Sequence, residues 1–426
     1  MLNRLYAFWL NIRSSLWALP LAMTLVAVVA ALALVRVDLE VGDTPPWYLY
    51  SGTPDGASQF LSDLVTAIIT MATLAISITM VVLTLAAQQL GPRLIRSFMA
   101  DWRTQASLGL MIASVVYLIL VLRSIYAADN GVPNIAVTAG TALILINILA
   151  LLIFVHHLAR SIIADTVIAQ VGGMLDEEIE RLLPYEKDDE PNGEMPDFPE
   201  KDAAPLPASA SGYIQGIEHE SLVKIAAKND AVILLEAIAG DHRIEAASFG
   251  KITPASCAQD DVIEEIQACI QQSSGQYPVQ DLRYYIHQLV EIALRALSPS
   301  ITDPFTAMAA IDRLASAMQK VMRRGRPQTA WCDEDGTVRL IAPRYGFAAL
   351  ADTAFFQIRH HAEGSPSVQI RLIEALAQLA EHAHPEQREV LQDQAQATVN
   401  AMEDRLEDED KLRWAKEKLA AIKKSG

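Results

Sequence analysis

Asp63, Thr66, Thr70, Thr73, Ser77, Thr84 and Gln88 are polar residues set within one long apolar stretch, and they carry the clearest chemical suggestion in the chain. Steps of three, four or seven residues place them along one face of an α-helix, with aliphatic side chains opposite. Hydroxyls in such a row can solvate a permeant ion in place of water, with Asp63 at the outer mouth, so the row reads as a pore-lining face. The same residue types also serve close helix packing, because Ser and Thr are small and can satisfy their hydroxyls on their own backbone.

Other polar candidates are more isolated. Asn147 interrupts another apolar stretch, whose end carries His156 and His157. That pair can take up a proton near neutral pH or simply meet water at the bilayer boundary. Ser298-Pro299-Ser300-Ile301-Thr302-Asp303-Pro304-Phe305 lies between two apolar helical patterns. Pro299 ends the first, and Thr302 or Asp303 caps the second, with Pro304 in its opening turn. Asp303 and the free amides behind it offer a polar surface to a ligand or to the membrane, so His156, His157 and Asp303 are candidate interface or gating residues.

His360 with His361, and His382 with His384, do not converge at metal-ligand spacing, so no metal site is expected. No nucleophile with a base, paired carboxylates in context or phosphate-cradling glycine loop is visible, and the chain reads as a non-enzyme without a cofactor. Cys257, Cys269 and Cys332 match no zinc or redox spacing and read as reduced thiols in a reducing cytosol.

The elements that must hold these residues divide the 426-residue chain in two. Apolar residues make up 51% of it and are concentrated at the front. Four stretches, at about 16–36, 60–89, 105–123 and 135–157, each supply the ~20 residues a membrane-spanning helix needs. Arg4 and Arg13, then Arg93, Arg96 and Arg103, then Arg160 flank these spans on one side. The opposite loops carry Asp38, Glu40, Asp43, Asp55 and Asp129, so the positive-inside rule puts both termini in the cytoplasm of a bacterial inner-membrane protein. Trp47 and Tyr48 follow two prolines in the outer loop and read as interfacial anchors. On the inner side, Pro92 to Arg103 reads as an interfacial elbow helix, with Arg93, Arg96, Trp102 and Arg103 at the membrane interface.

Beyond residue 160 the pattern changes. A connector helix continues from His157 to about Leu183, followed by an acidic, Pro-rich linker over 185–211. A small α/β unit is expected over 212–256, with Ala231–Ile238 and Arg243–Ala247 as paired strands around Gly240 and Asp241. Residues 257–426 read as mainly helical. The fold class is therefore an α-helical polytopic membrane protein with four transmembrane helices and a mainly α, partly β cytosolic C-terminal domain. The formal net charge of −17 argues against nucleic acid as a partner.

Several local sequences fit together. They are the run Ser77 to Arg93 (SITMVVLTLAAQQLGPR), the His156-His157 helix end, Ser211-Gly212-Tyr213-Ile214-Gln215, Ala293 to Pro299 (ALRALSP), and Asp303-Pro304-Phe305-Thr306-Ala307. In combination the chain resembles a bacterial family of predicted membrane proteins of unknown function, DUF2254, over nearly its whole length. The resemblance implies a shared fold and supplies no activity. The chain departs from that pattern at Thr302, where Asn is usual, and across Ala239 to Lys251, where a Gly-rich turn is expected.

Three functions fit these features. The first is an oligomeric ion channel or pore, with the second span of each subunit facing a central axis and the cytosolic domains forming a regulatory vestibule; the acidic composition favours cations. The second is a membrane-anchored scaffold or sensor that binds a cytosolic protein. A small secondary transporter is third, since four spans are few and no inverted repeat or intramembrane charge pair is visible. The partners expected are the lipid bilayer, further copies of the chain and a cytosolic protein.

Overall fold

The computed structural model describes residues 17–41, 46, 48–89, 91, 99, 101–127, 132–161, 163–183, 197–276, 280–324, 328–406 and 408–424. The chain divides into two compact units, Met1–Thr166 and Val167–Gly426.

Four helices long and apolar enough to cross a membrane make up the described part of the first unit. They are α1 (Ala18–Val41), α2 (Pro54–Gln89), α3 (Trp102–Ala127) and α4 (Asn134–Ser161). α3 packs against each of the other three. Its central place explains its surface: beyond Trp102 at its start, Ile119 is the large apolar residue α3 exposes strongly among those described, whereas α1 exposes Leu21, Leu25, Val26, Val29 and Leu32, and α4 exposes Leu145, Leu149, Leu152 and Ile153. Aliphatic side chains turned outward on helices whose backbone bonds are satisfied internally suit a lipid solvent. Leu61, Ile68, Met111, Tyr117, Leu118, Val121, Val137 and Phe154 fill the interior.

α5 (Ala164–Leu182) begins in the last residues of the first unit and carries most of its length into the second, where its buried stripe of Ile168, Val171, Leu175 and Ile179 follows the helical period. The continuous helix expected from His157 to Leu183 is in fact interrupted between Ser161 and Ala164. A run of strands broken by two helices follows: β1 (Ala204–Pro207), β2 (Gly212–Ile217), α6 (His219–Lys228), β3 (Val232–Leu235), β4 (His242–Arg243), β5 (Ser248–Thr253), α7 (Asp260–Ala268) and β6 (Ile270–Ser273). A helical layer follows, with α8 (Leu282–Ala296), α9 (Pro304–Met322), α10 (Phe347–His361), α11 (Pro366–Ala380), α12 (Pro385–Glu403) and α13 (Glu409–Lys424). Between α9 and α10 come β7 (Ala330–Cys332) and β8 (Val338–Ile341).

One sheet has the order β1-β5-β3-β8-β7 and the other β4-β2-β6. Among the described residues only the β3–β8 pairing is parallel. Three sequence expectations give way here. Residues 204–207, placed in the linker, form a strand because Pro205 and Pro207 lie on a sheet edge, where a missing N–H is tolerated. The segments around Gly240 and Asp241 do not pair with each other: β3 joins β5 and β8, while β4 joins β2. No boundary falls at 256/257, since β8 completes the first sheet and β6 the second, and one core of Leu206, Ile214, Leu222, Ile233, Phe249, Ile266 and Leu340 spans the join.

Candidate functional site

The seven polar residues of α2 all face outward from the protomer: Asp63, Thr66, Thr70, Thr73, Ser77, Thr84 and Gln88 are exposed. A different face packs on α3 and α4, carrying Ala57, Leu61, Ile68, Ala75, Thr79 and Ala86. Packing inside the protomer therefore does not explain the row. At 3.6 residues per turn the seven fall within an arc of about 80°. Exposed Ile69, Ile76 and Met80 border one edge of that arc, and exposed Leu74, Val81 and Leu85 the other.

Four of the hydroxyls are oriented alike. Thr66 Oγ1 donates to the Ser62 carbonyl (2.9 Å), Thr70 to Thr66 (2.8 Å), Thr73 to Ile69 (2.8 Å) and Thr84 to Met80 (2.9 Å). With each proton directed back to the helix, the outward side of each oxygen is an acceptor, the polarity a cation needs. At the N-terminal end of the row Gln59 Nε2 donates to Asp63 Oδ1 at 3.2 Å.

The other polar residues of this unit hold α4 in place. Asp38, at the end of α1, accepts from the backbone amides of Ile135 (2.8 Å) and Ala136 (2.9 Å), two of the unpaired donors opening α4. At the far end of α4, His157 Nε2 donates to Asp101 Oδ2 at 2.8 Å, and Nδ1 faces Arg103 Nη1 at 3.5 Å. Asp101 also caps α3, accepting from Thr104 N (3.0 Å) and Thr104 Oγ1 (2.8 Å). Burial pushes the Asp101 carboxyl up, but the bonds from Thr104 and His157 outweigh it and hold the group below the usual carboxylate range. Between these ends the fully buried Asn147 donates to Ser114 Oγ and to the Leu143 carbonyl, both at 2.8 Å. His156 is exposed and does not share the contacts of His157.

Of the interface residues, Tyr48, Trp102 and Arg103 are exposed, with the Arg103 guanidinium 5.9 Å from the Trp102 ring. Trp47, Arg93 and Arg96 lie outside the described residues. Asp303, in the second unit, is occupied as the cap of α9: it accepts from Thr306 N (3.2 Å) and Thr306 Oγ1 (2.6 Å). Thr302 before it has φ +50°, a left-handed conformation in which Asn is less strained than Thr.

Two polar clusters in the second unit were not foreseen. Asp241 Oδ1 accepts from Arg283 Nη2 (2.9 Å) and from the Tyr345 hydroxyl (3.0 Å), while the Arg283 guanidinium lies 3.7 Å from the Tyr345 ring centre. Asp281 is 1% exposed; it caps α8 through Arg283 N and accepts from Gln276 Nε2, each at 3.0 Å. Burial pushes its carboxyl up and the Arg283 charge opposes that. Gly240, at φ +92°, has no room for a Cβ beside the Asp281 carboxylate. In the second cluster His219 stacks on Trp331 at 4.5 Å, and Arg344 Nη2 lies 3.4 Å from His219 Nε2. Burial, then the Arg344 charge, drives the His219 imidazole down to about 4. The first cluster ties the turn after β3 to α8 and to the segment before α10, and the second holds the start of α6, β7 and that same segment together.

The family model described as "Predicted membrane protein (DUF2254)" matches residues 13–378. Proteins of Mycobacterium bovis and Mycobacterium tuberculosis, each described only as uncharacterised, are 27% identical over 417 residues, covering 96% of this chain and 80% of theirs. No solved structure matches the chain.

Proposed function

From the premise that this chain belongs to the DUF2254 family of predicted membrane proteins, we propose that it is a homo-oligomeric pore of the bacterial inner membrane, with α2 of each subunit lining the conducting axis. One observation carries the reading: the polar row of α2 occupies the middle of that helix's outward face, where a lone protomer would turn it to lipid. Hydroxyls facing hydrocarbon gain nothing, whereas on a shared axis their acceptor oxygens meet water and cations. Asp63 at one end would concentrate cations there. Orientation rests on arginines: Arg4, Arg13, Arg93, Arg96, Arg103 and Arg160 on the side assigned to the cytoplasm outnumber Arg36 and Arg123 toward the other.

A second reading, a membrane-anchored scaffold whose second unit binds a protein, is favoured by the backbone bonds of Thr66, Thr70, Thr73 and Thr84, which need no water. Single-particle imaging of the full chain in lipid nanodiscs separates the two. A closed ring with the Thr66–Ser77 face on a solvated axis is the expected result; a monomer, or a dimer with that face buried, refutes the pore and leaves the scaffold.

A further inference from the structure

We infer that Arg344, with His219 and Trp331 beside it, forms a binding site for a phosphate group in the second unit. The site lies where β7, the start of α6 and the segment between β8 and α10 meet. His219 stacks on Trp331 with ring centres 4.5 Å apart, the Arg344 guanidinium lies 5.3 Å from the Trp331 ring, and its Nη2 is 3.4 Å from His219 Nε2. All three side chains are half-buried.

The charge on Arg344 sets this place apart. Three other half-buried guanidiniums of the unit each hold a carboxylate: Arg283 with Asp241 at 2.9 Å, Arg313 with Asp176 at 2.6 Å and Arg339 with Asp333 at 2.7 Å. Arg344 is in no ion pair among the described residues; burial alone pushes its guanidinium down, and its Nε is buried without a hydrogen-bond partner. Acidic residues are not scarce, since the chain carries 51 against 34 Lys and Arg. Two that neighbour the cluster in sequence are engaged elsewhere: Glu218 Oε2 accepts from Ser221 Oγ at 3.1 Å, and Asp333 Oδ2 from Arg339 Nε at 2.7 Å. The Trp331 ring offers a cation–π contact but no negative charge. A desolvated cation costs stability unless an anion compensates it, so the cluster favours an anion from outside the chain.

His219 selects the kind of anion. A guanidinium only donates, so the Nε2 facing it is the lone-pair nitrogen of a neutral ring, whose proton is shared with the Ile217 carbonyl. A ligand bridging the two side chains therefore meets donors on Arg344 and an acceptor on His219. A carboxylate at neutral pH has acceptors alone. A phosphate that keeps one proton has both, with oxygens for the guanidinium fork and a hydroxyl for Nε2. The Arg344–His219 contact it would replace is a long one, at 3.4 Å. Two residues past Arg344, the exposed Gly346 opens α10 with no side chain to cap its first amides, which adds donors of the same polarity to this stretch of chain.

Thermal unfolding of the full chain tests this independently of conduction, with inorganic phosphate compared against chloride at equal ionic strength and neutral pH in an uncharged detergent. The wild-type midpoint should rise with phosphate concentration. Arg344→Met keeps the apolar stem and removes the unpaired charge, so it should lose most of that rise while matching or exceeding the wild-type midpoint in chloride. Arg344→Lys keeps a cation without the fork and should retain only part of the rise. Nanodiscs with and without phosphatidic acid identify the source: a rise with inorganic phosphate assigns a soluble ligand, and a rise with phosphatidic acid alone assigns a lipid headgroup. An equal rise in wild type and both variants is a general salt effect on folding and overturns the site. So does the absence of a rise with either form of phosphate, or an Arg344→Met protein that unfolds more easily in chloride or fails to fold, which makes the guanidinium a structural group.

Discussion

His219 is the group in the second unit whose protonation most directly opposes its surroundings. Its ring lies against Trp331 and its Nε2 faces a guanidinium, so the charged form loses part of its water and meets a like charge. With an ordinary value of 6.5 lowered to about 4, the unfolded chain binds the extra proton first as pH falls. This contribution to stability is therefore complete above about pH 6.5 and drains away as pH falls toward 4. At 1.36 kcal/mol per pKa unit it is on the order of 3 kcal/mol. His219→Phe keeps the stack and removes the proton site, so thermal unfolding of the two proteins in detergent should give a stability difference that changes between pH 6.5 and 4. A constant difference over that range would rule out His219 as the source. Sequence spacing could identify the capping role of Asp303 and Pro304, because their partners are three residues away or fewer. It could not assemble Asp241, Arg283 and Tyr345, whose hydrogen-bonded pairs are 42 and 104 residues apart.

At the level of elements, what was legible was what depends on composition over a window. The α1–α4 spans stand out because lipid demands about 20 apolar residues in succession, and α9 begins at Pro304 where cap and proline agree. Strand partners were not legible, since β1 and β3 are four residues each and their register is set by residues far along the chain. The pinning of α4 is hidden from the sequence for a similar reason. Asp38 reads as one more acidic residue of an outer loop, yet it supplies the cap α4 lacks, Asn134 being the helix's first residue. Asp38→Ala leaves two amides of α4 without their carboxylate and removes the polar tie between α1 and α4. It should lower stability by about 1–2 kcal/mol, read by thermal unfolding in micelles, with Asp38→Asn losing less. An unchanged unfolding midpoint for Asp38→Ala would mean that headgroups or water replace the carboxylate.

For the whole molecule, the α2 row has a consequence only in an assembly. Asp63, Thr70, Ser77 and Thr84 are seven apart, and Thr66, Thr73, Met80 and Ala87 fall between them at the same interval. A seven-residue repeat is the period at which helices stay in contact along a left-handed crossing, so the row is suited to facing its own copies. Within that repeat Met80 is the one bulky apolar side chain, and it is 61% exposed. In a ring of α2 helices it forms an apolar constriction between Ser77 and Thr84, where a narrow pore loses its water most readily. Conductance of the reconstituted protein should therefore respond in opposite senses to substitutions on one face: Thr73→Leu and Ser77→Leu lower it, and Met80→Thr, which continues the hydroxyl row, raises it. Thr79→Leu, on the face packed inside the protomer, should instead reduce folded yield. Planar-bilayer recordings across these variants decide the matter. If the protein conducts and all three outward substitutions leave the current unchanged, α2 does not line the path, whatever the oligomer; a rise from Met80→Thr with falls from the other two fixes both the path and its narrowest level.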